Sequence, residues 1–247
     1  MIYIAWATML AGFIFYKNSQ ITLSVTTILA GITLLTAHMS WLNPEITNLV
    51  PVLKSYWLTI HVATITASYG FFGLSSMLGI LNLSIMIFRN KSNHERINLT
   101  LKELTIIIEM SLMVGLILLV IGNFLGGIWA NESWGRYWGW DPKETWSLVT
   151  IITYTFILHM RLIPGMRNLF SINFMAHIGF GAVLMTYFGV NYYLSGLHSY
   201  AQGDPVPVPS FVYYMIGAIS VISVLAVIND INLKNKLEVK GELSDDD

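Results

Sequence analysis

Seven stretches of the chain are almost continuously apolar, and polar segments separate them. They cover about 2–16, 21–38, 56–88, 104–129, 145–162, 172–195 and 211–229. Each is near the ~20 residues that a helix needs to cross a bilayer. The third, drawn as one helix, would be about 50 Å long and must tilt or project beyond the hydrocarbon. It carries Ser68, Gly70, Gly73, Ser75, Ser76 and Gly79, small residues whose spacing permits close helix packing. The first stretch lacks a basic leader and a small-residue cleavage site, so it is expected to be an anchor rather than a signal peptide. Pro44 and Pro51 break one connecting segment, and Gly203, Pro205, Pro207 and Pro209 stiffen another. The expected fold is an all-α polytopic membrane protein of about seven transmembrane helices with an external Trp-rich loop. Residues 1–52 read as two N-terminal helices and a loop, 53–229 as a membrane domain, and 230–247 as a polar tail expected to be disordered.

Composition supports the pattern. Only 11% of residues are charged and the mean hydropathy is +0.62, whereas soluble domains average about 25% charged. A net charge of −1 gives no electrostatic case for nucleic acid. The chain has no cysteine, so it has neither disulfides nor a thiolate metal site. The basic residues are distributed unevenly. If the Trp-rich loop lies outside, Lys17, Arg89, Lys91, Arg96, Lys102, Arg161, Arg167, Lys234, Lys236 and Lys240 lie inside, against Lys54, Arg136 and Lys143 outside. Ten against three orients the chain with its N-terminus outside and its C-terminus inside.

The loop between the fourth and fifth stretches is the unusual feature. It runs from Trp129 to Trp146 and holds Trp129, Trp134, Trp138, Trp140 and Trp146, five of the eight tryptophans. Gly135, Gly139 and Pro142 break any regular period, so irregular backbone is expected. An aromatic belt at headgroup level is the simplest source of such rings. A belt does not require an ordered string with Arg136, Asp141, Lys143 and Glu144 among the rings. That mixture suits a flat apolar ligand with charged edges, such as a porphyrin with two propionates. Arg136 and Lys143 are candidate propionate partners. Asp141 is expected to order the loop through an Asx turn, with Pro142 fixing the next dihedral. Gly122, Gly126 and Gly127 lead into the loop and would admit a large ligand.

Four histidines bear on this chemistry. His61 lies just inside the external mouth of the third stretch, and His198 follows the sixth at the same end. His159 falls fourteen residues after Thr145, about 21 Å deeper on a straight helix. It therefore belongs to a different site, at the depth where His177 of the sixth stretch also falls. Taken singly, each fits a packed, snorkelling or exposed side chain. His38 reads as a polar cap of its helix and His94 as a solvated surface residue. Glu109 is a costly carboxylate within a span, able to serve either a function or the nearby headgroups.

The string Trp134-Gly-Arg-Tyr-Trp-Gly-Trp-Asp-Pro-Lys-Glu-Thr-Trp146 resembles the tryptophan-rich signature of haem-handling membrane proteins, the WWD family. Its continuation after the aspartate resembles the CcsA (ResC) type of system II cytochrome c biogenesis, and departs from the CcmC and CcmF types. The resemblance extends from about Leu53 to about Tyr214. It implies that His61, in the setting Ser-Tyr-Trp-Leu-Thr-Ile-His-Val, and His198, in Gly-Leu-His-Ser-Tyr, are axial ligands of haem b at an outer site. It further implies that Trp134, Trp138, Trp140, Asp141, Arg136 and Lys143 line that haem, and that His159 is a haem-iron ligand of an inner site. The partner histidine there would come from a CcsB-type subunit, His177 not being a recognised ligand position.

The implied activity is export of haem and its attachment to apocytochrome c on the outer face of the bacterial cytoplasmic membrane. The chain would then be the holocytochrome c synthase (haem lyase) component of a complex that includes the CcsB-type subunit, in contact with membrane lipid. Two alternatives stay open: CcmC-like delivery of haem to a chaperone without ligation, and a solute or proton transporter that uses the histidines as relays.

Overall fold

The computed structural model of the chain describes residues 1–15, 17, 19–38, 55–198 and 207–238. The described residues form helices and connecting turns, with no strand among them. The elements are α1 (Ile2–Phe15), α2 (Gln20–His38), α3 (Tyr56–Ile87), α4 (His94–Trp134), α5 (Pro142–His159), α6 (Leu169–Ile178), α7 (Phe180–Leu184), α8 (Val190–Tyr193) and α9 (Ser210–Glu238). Five of the resulting rods are long and apolar enough to cross a membrane: α2, α3, α4, the interrupted rod Leu169–Tyr193, and α9. α1 has fourteen residues and α5 eighteen. The protein is a polytopic all-α membrane protein.

α3 is the axis of the bundle. Its packing partners include α1, α2, α4, α6 and α9, so it has no single apolar stripe and is buried on most sides. Small residues make this possible. A Cβ on Gly79 would stand 2.6 Å from the carbonyl oxygen of Asn173 on α6. Ser75 lies on α4, its hydroxyl donating to Phe71 O at 3.0 Å and to Ile108 O at 3.3 Å. Between α3 and α5, Phe72 and Tyr154 stack with ring centroids 3.7 Å apart and planes 5° apart.

A buried polar cluster fixes the register of α3, α4 and α6. Asn82 Nδ2 donates to Asn173 Oδ1 at 2.7 Å, and Asn173 Nδ2 donates to Thr105 Oγ1 at 2.9 Å. Where lipid surrounds a bundle, apolar residues gain little by choosing protein over acyl chains. Close packing and interhelical hydrogen bonds then decide the arrangement.

The element boundaries depart from the expected ones in four places. α4 is longer at both ends: it takes up most of the charged segment 89–103 and continues through Trp129 to Trp134. Helical hydrogen bonding persists until Gly135, whose φ of 72° closes the helix as a left-handed C-cap. α5 begins at Pro142 rather than Thr145, because Asp141 is its N-cap and proline suits the first helical position. The sixth rod is broken, with a five-residue π-helical turn, Met185–Gly189, between α7 and α8. α9 continues past 229, so the segment expected to be a polar tail is helical to Glu238. Asn229 donates to Met86 O and Arg89 O, Asp230 pairs with Arg89, and Leu233 and Leu237 are buried. Lys54, Pro44, Pro51, Gly203, Pro205, Lys240 and the residues after 238 lie outside the described residues.

Candidate functional site

At one end of the bundle the mouths of α3, α4, α5 and the broken rod enclose a recess. Its walls include His61, Tyr69, Gly126, Trp138, Lys143 and His198, and its volume is about 70 Å³. His61 and His198, 137 positions apart in sequence, thus line one space.

Each of these histidines is held through the same ring nitrogen. His61 Nδ1 donates to the carbonyl oxygen of Gly122 on α4 at 2.7 Å. That bond places the proton on Nδ1 and leaves Nε2 with a lone pair. The ring also occupies the space that a side chain at position 126 would need: a Cβ on Gly126 would lie 2.5 Å from His61 Cε1. The glycines leading into the loop therefore admit His61 and its helix. His198 Nδ1 donates to Asp141 Oδ1 at 2.8 Å, again leaving Nε2 as the lone-pair nitrogen. Asp141 Oδ2 accepts from the backbone N–H of Leu197 at 2.6 Å. One carboxylate thus fixes both the ring and the backbone that carries it.

Asp141 also caps α5, accepting from Lys143 N at 3.1 Å. Glu144 answers from within the helix: its Oε2 accepts from Asp141 N at 3.2 Å and Gly139 N at 2.7 Å. Burial raises the proton affinity of the Asp141 carboxyl, but the hydrogen bonds from Lys143 and His198 outweigh it and hold the group below the usual carboxylate value. For His198, burial pushes the imidazole below its ordinary value despite the opposing influence of Asp141. Both shifts favour a neutral ring beside an ionised carboxylate.

The aromatic residues divide into three groups. Trp129, only 1% exposed, lies nearly parallel to His61 at 6.3 Å between centroids and 5.5 Å from His198. Trp134 meets His198 edge-on at 4.9 Å. Trp138 lines the recess. Trp140 stands at right angles to Trp138 at 5.6 Å and is 69% exposed, with a left-handed φ of 57°. It does not line the recess.

The two candidate cations also separate. Lys143 lines the recess and donates to Asn191 Oδ1 at 2.8 Å. Arg136 is turned to Glu144, with Nη1 to Oε1 at 3.1 Å, and lies over the Trp134 ring. Sequence reasoning missed Asn123, Ser147 and Thr186. The Ser147 hydroxyl donates to Asn123 Oδ1 at 3.1 Å, and Thr186 reaches the recess from the π turn. Serine, threonine and asparagine in apolar helices were the available signal, but it does not distinguish lining from packing.

The other histidines are elsewhere. His159 ends α5, is exposed, and donates through Nδ1 to Thr155 O at 2.7 Å. His177 on α6 bonds Ser76 on α3 at 2.8 Å through Nδ1. The two rings therefore have separate partners. Glu109 pairs with Arg161 just beyond His159, which gives that carboxylate a structural ion pair. Among the described residues no three His, Cys, Asp or Glu side chains cluster as a metal site.

The fold and recess define a polytopic helical membrane protein with two imidazoles presented at one mouth of its bundle. A sequence profile of the cytochrome C assembly protein family matches residues 1–198, and the chain belongs to that family. It is 55% identical over 207 residues to protein NrfI of Wolinella succinogenes, covering 84% of this chain and 23% of that protein. It is 31% identical to the cytochrome c biogenesis protein CcsA of Cyanophora paradoxa, covering 81% of this chain and 76% of that one. The CcsA of Prochlorococcus marinus strain MIT 9515 is 38% identical over 175 residues, covering 62% of this chain and 56% of that protein. The chain thus spans under a quarter of NrfI and little more than half of the Prochlorococcus protein.

Proposed function

We propose that the recess receives haem b as cargo and presents it for attachment to apocytochrome c. The observation that carries this reading is the paired anchoring of His61 and His198. Each ring gives its Nδ1 proton to a fixed oxygen, so each keeps an Nε2 lone pair, and both line the same recess. Neutral imidazole is a usual axial ligand of haem iron. The donor set fits the cargo: two imidazoles, an aromatic wall from Tyr69, Tyr137 and Trp138, and Lys143 for a propionate. Two nitrogen ligands would fill both axial positions and leave no place for dioxygen.

In this reading Asp141 is a positioning residue. It holds the tautomer and direction of His198 and increases the basicity of the ring. Trp134 and Trp129 buttress the two imidazoles, while exposed Trp140 offers a surface to the apocytochrome. Arg136 supports the loop through Glu144, and Lys143 is the preferred propionate partner. Attachment adds each cysteine S–H of the client across a vinyl C=C, sulfur to one carbon and hydrogen to the other, without net oxidation. The recess faces outward from the bacterial cytoplasmic membrane, as the excess of basic residues at the opposite end supports. His159 receives haem at that opposite end. Its exposure on the bundle suits a second histidine from a CcsB-type subunit.

The test is spectroscopic. The purified protein should carry haem with a low-spin, bis-histidine spectrum. His61→Ala and His198→Ala should each lose it, with partial recovery in imidazole. Retention of the full spectrum by both variants would overturn the assignment. Covalent haem on an apocytochrome, formed in cells that lack other ligation systems and express a CcsB-type partner, separates attachment from delivery.

A further inference from the structure

The other end of the bundle holds a second opening that the haem reading does not use. It lies between the turn after α3 and the last turns of α9, and is lined by Arg89, Asn90, Lys91, Ser92, Asn229 and Lys236, among others. About 39 Å of α3 separates its level from His61.

The walls are built rather than incidental. Asn229 Nδ2 donates to Met86 O and Arg89 O, both at 2.8 Å, and so satisfies carbonyls at the end of α3. Asn90 Oδ1 accepts from Ser92 N at 3.0 Å and Ser92 Oγ at 2.8 Å, which locks the turn. Arg89 is only 7% exposed. Of the five N–H donors of its guanidinium, one goes to Asn98 and one to Asp230, and its Nε has no partner among the described residues. Asp230, the acidic group at this opening, is already shared between Arg89 and Lys234. Lys91 and Lys236 are exposed and form no ion pair among the described residues. Among the described residues the opening therefore has surplus positive charge and surplus donors.

Its depth identifies the kind of anion. The apolar part of α3 ends at Phe88, and that of α9 ends at Ile228, immediately before Asn229. The change from apolar to polar composition in both helices points to headgroup level for the opening. Only 11% of the most apolar window of α9 is buried against protein, so lipid surrounds most of that helix.

We propose that this opening binds the phosphodiester headgroup of an anionic phospholipid, which joins α9 to the end of α3. Basic pockets between membrane helices recognise such headgroups by charge and hydrogen-bond donation. The shared chemistry, a phosphate anion, also exists as free phosphate, and the test separates the two.

The full chain in dodecyl maltoside is titrated with dioleoyl phosphatidylglycerol, dioleoyl phosphatidylcholine or inorganic phosphate while thermal unfolding is followed. Phosphatidylglycerol should raise the midpoint to a plateau, and the other two should not. The K91Q/K236Q variant should need about tenfold more phosphatidylglycerol or above. Both side chains are exposed, so the change leaves the packing intact. K91R/K236R should respond like the natural chain, as should the charge control K17Q/R167Q at the same end. The proposal is overturned by an equal response to phosphatidylcholine, by full stabilisation with inorganic phosphate, by an unaltered K91Q/K236Q titration, or by a control that weakens as much.

Discussion

The two ends of the bundle treat histidine in opposite ways. At the Trp-loop end, His61 and His198 come from distant segments, share a recess, and are each pinned by a backbone or carboxylate oxygen. At the other end, His159 lies on the outside of the bundle and, among the described residues, bonds within its own helix, while His177 is tied to Ser76. One end brings two imidazoles from distant segments together in one recess. The other exposes one ring and secures its neighbour. In the proposed reading, the first end holds cargo alone and the second works against another subunit.

The comparison breaks most decisively at the recess ligands. His61→Ala or His198→Ala should lower haem occupancy by more than the 10–100-fold typical of removing a partner that merely orients a ligand. Optical titration with haem measures this, with imidazole rescue as the check on folding.

Next in size is Asp141→Asn, which should weaken haem binding about tenfold. It also has a signature that a packing role would not give. By NMR in the haem-free protein, His198 should titrate below the ordinary imidazole value of about 6.5. Asp141→Asn should move it lower still, because the carboxylate favours the charged ring. The sign for stability follows from the same shift. The folded protein holds fewer protons on His198 than the unfolded chain, so this contribution is present above pH ~6.5 and is lost as pH falls through the depressed value.

His159→Ala should leave haem binding by the recess of purified protein unchanged and reduce haem loading in cells that contain the partner. Equal loading would remove the contrast between the two ends. The smallest expected effect concerns the scaffold. Gly79→Ala sets a methyl against Asn173 O and should cost about 1–3 kcal/mol, read as a lower unfolding midpoint with unchanged haem affinity.

Much of this architecture is legible in hydropathy, since a chain with so little charge has few ways to arrange long apolar runs. The ends of the helices were harder. Asn131 and Glu132 looked like loop residues, yet α4 passes through them because nothing stops it until Gly135. The π turn at Met185–Gly189 has no proline to announce it; its shape depends on Thr186 bonding to Trp146 O and Thr150 across the bundle. At the site, Asp141 and Pro142 correctly signalled an ordered turn. The bond from His198 to Asp141 spans 57 positions and involves residue types that also occur alone, so only the folded chain brings it to view. Trp140 and Arg136 belong to the same family string as Trp138 and Lys143 but do not line the recess, which sequence spacing does not reveal.

Trp129 gives the recess a mechanical property of its own. Its indole is enclosed and neighbours both imidazoles, nearly parallel to His61 and inclined to His198. Close-packed interiors transmit displacement rather than absorb it. A displacement of either imidazole is therefore carried toward the other through a rigid bicyclic plate.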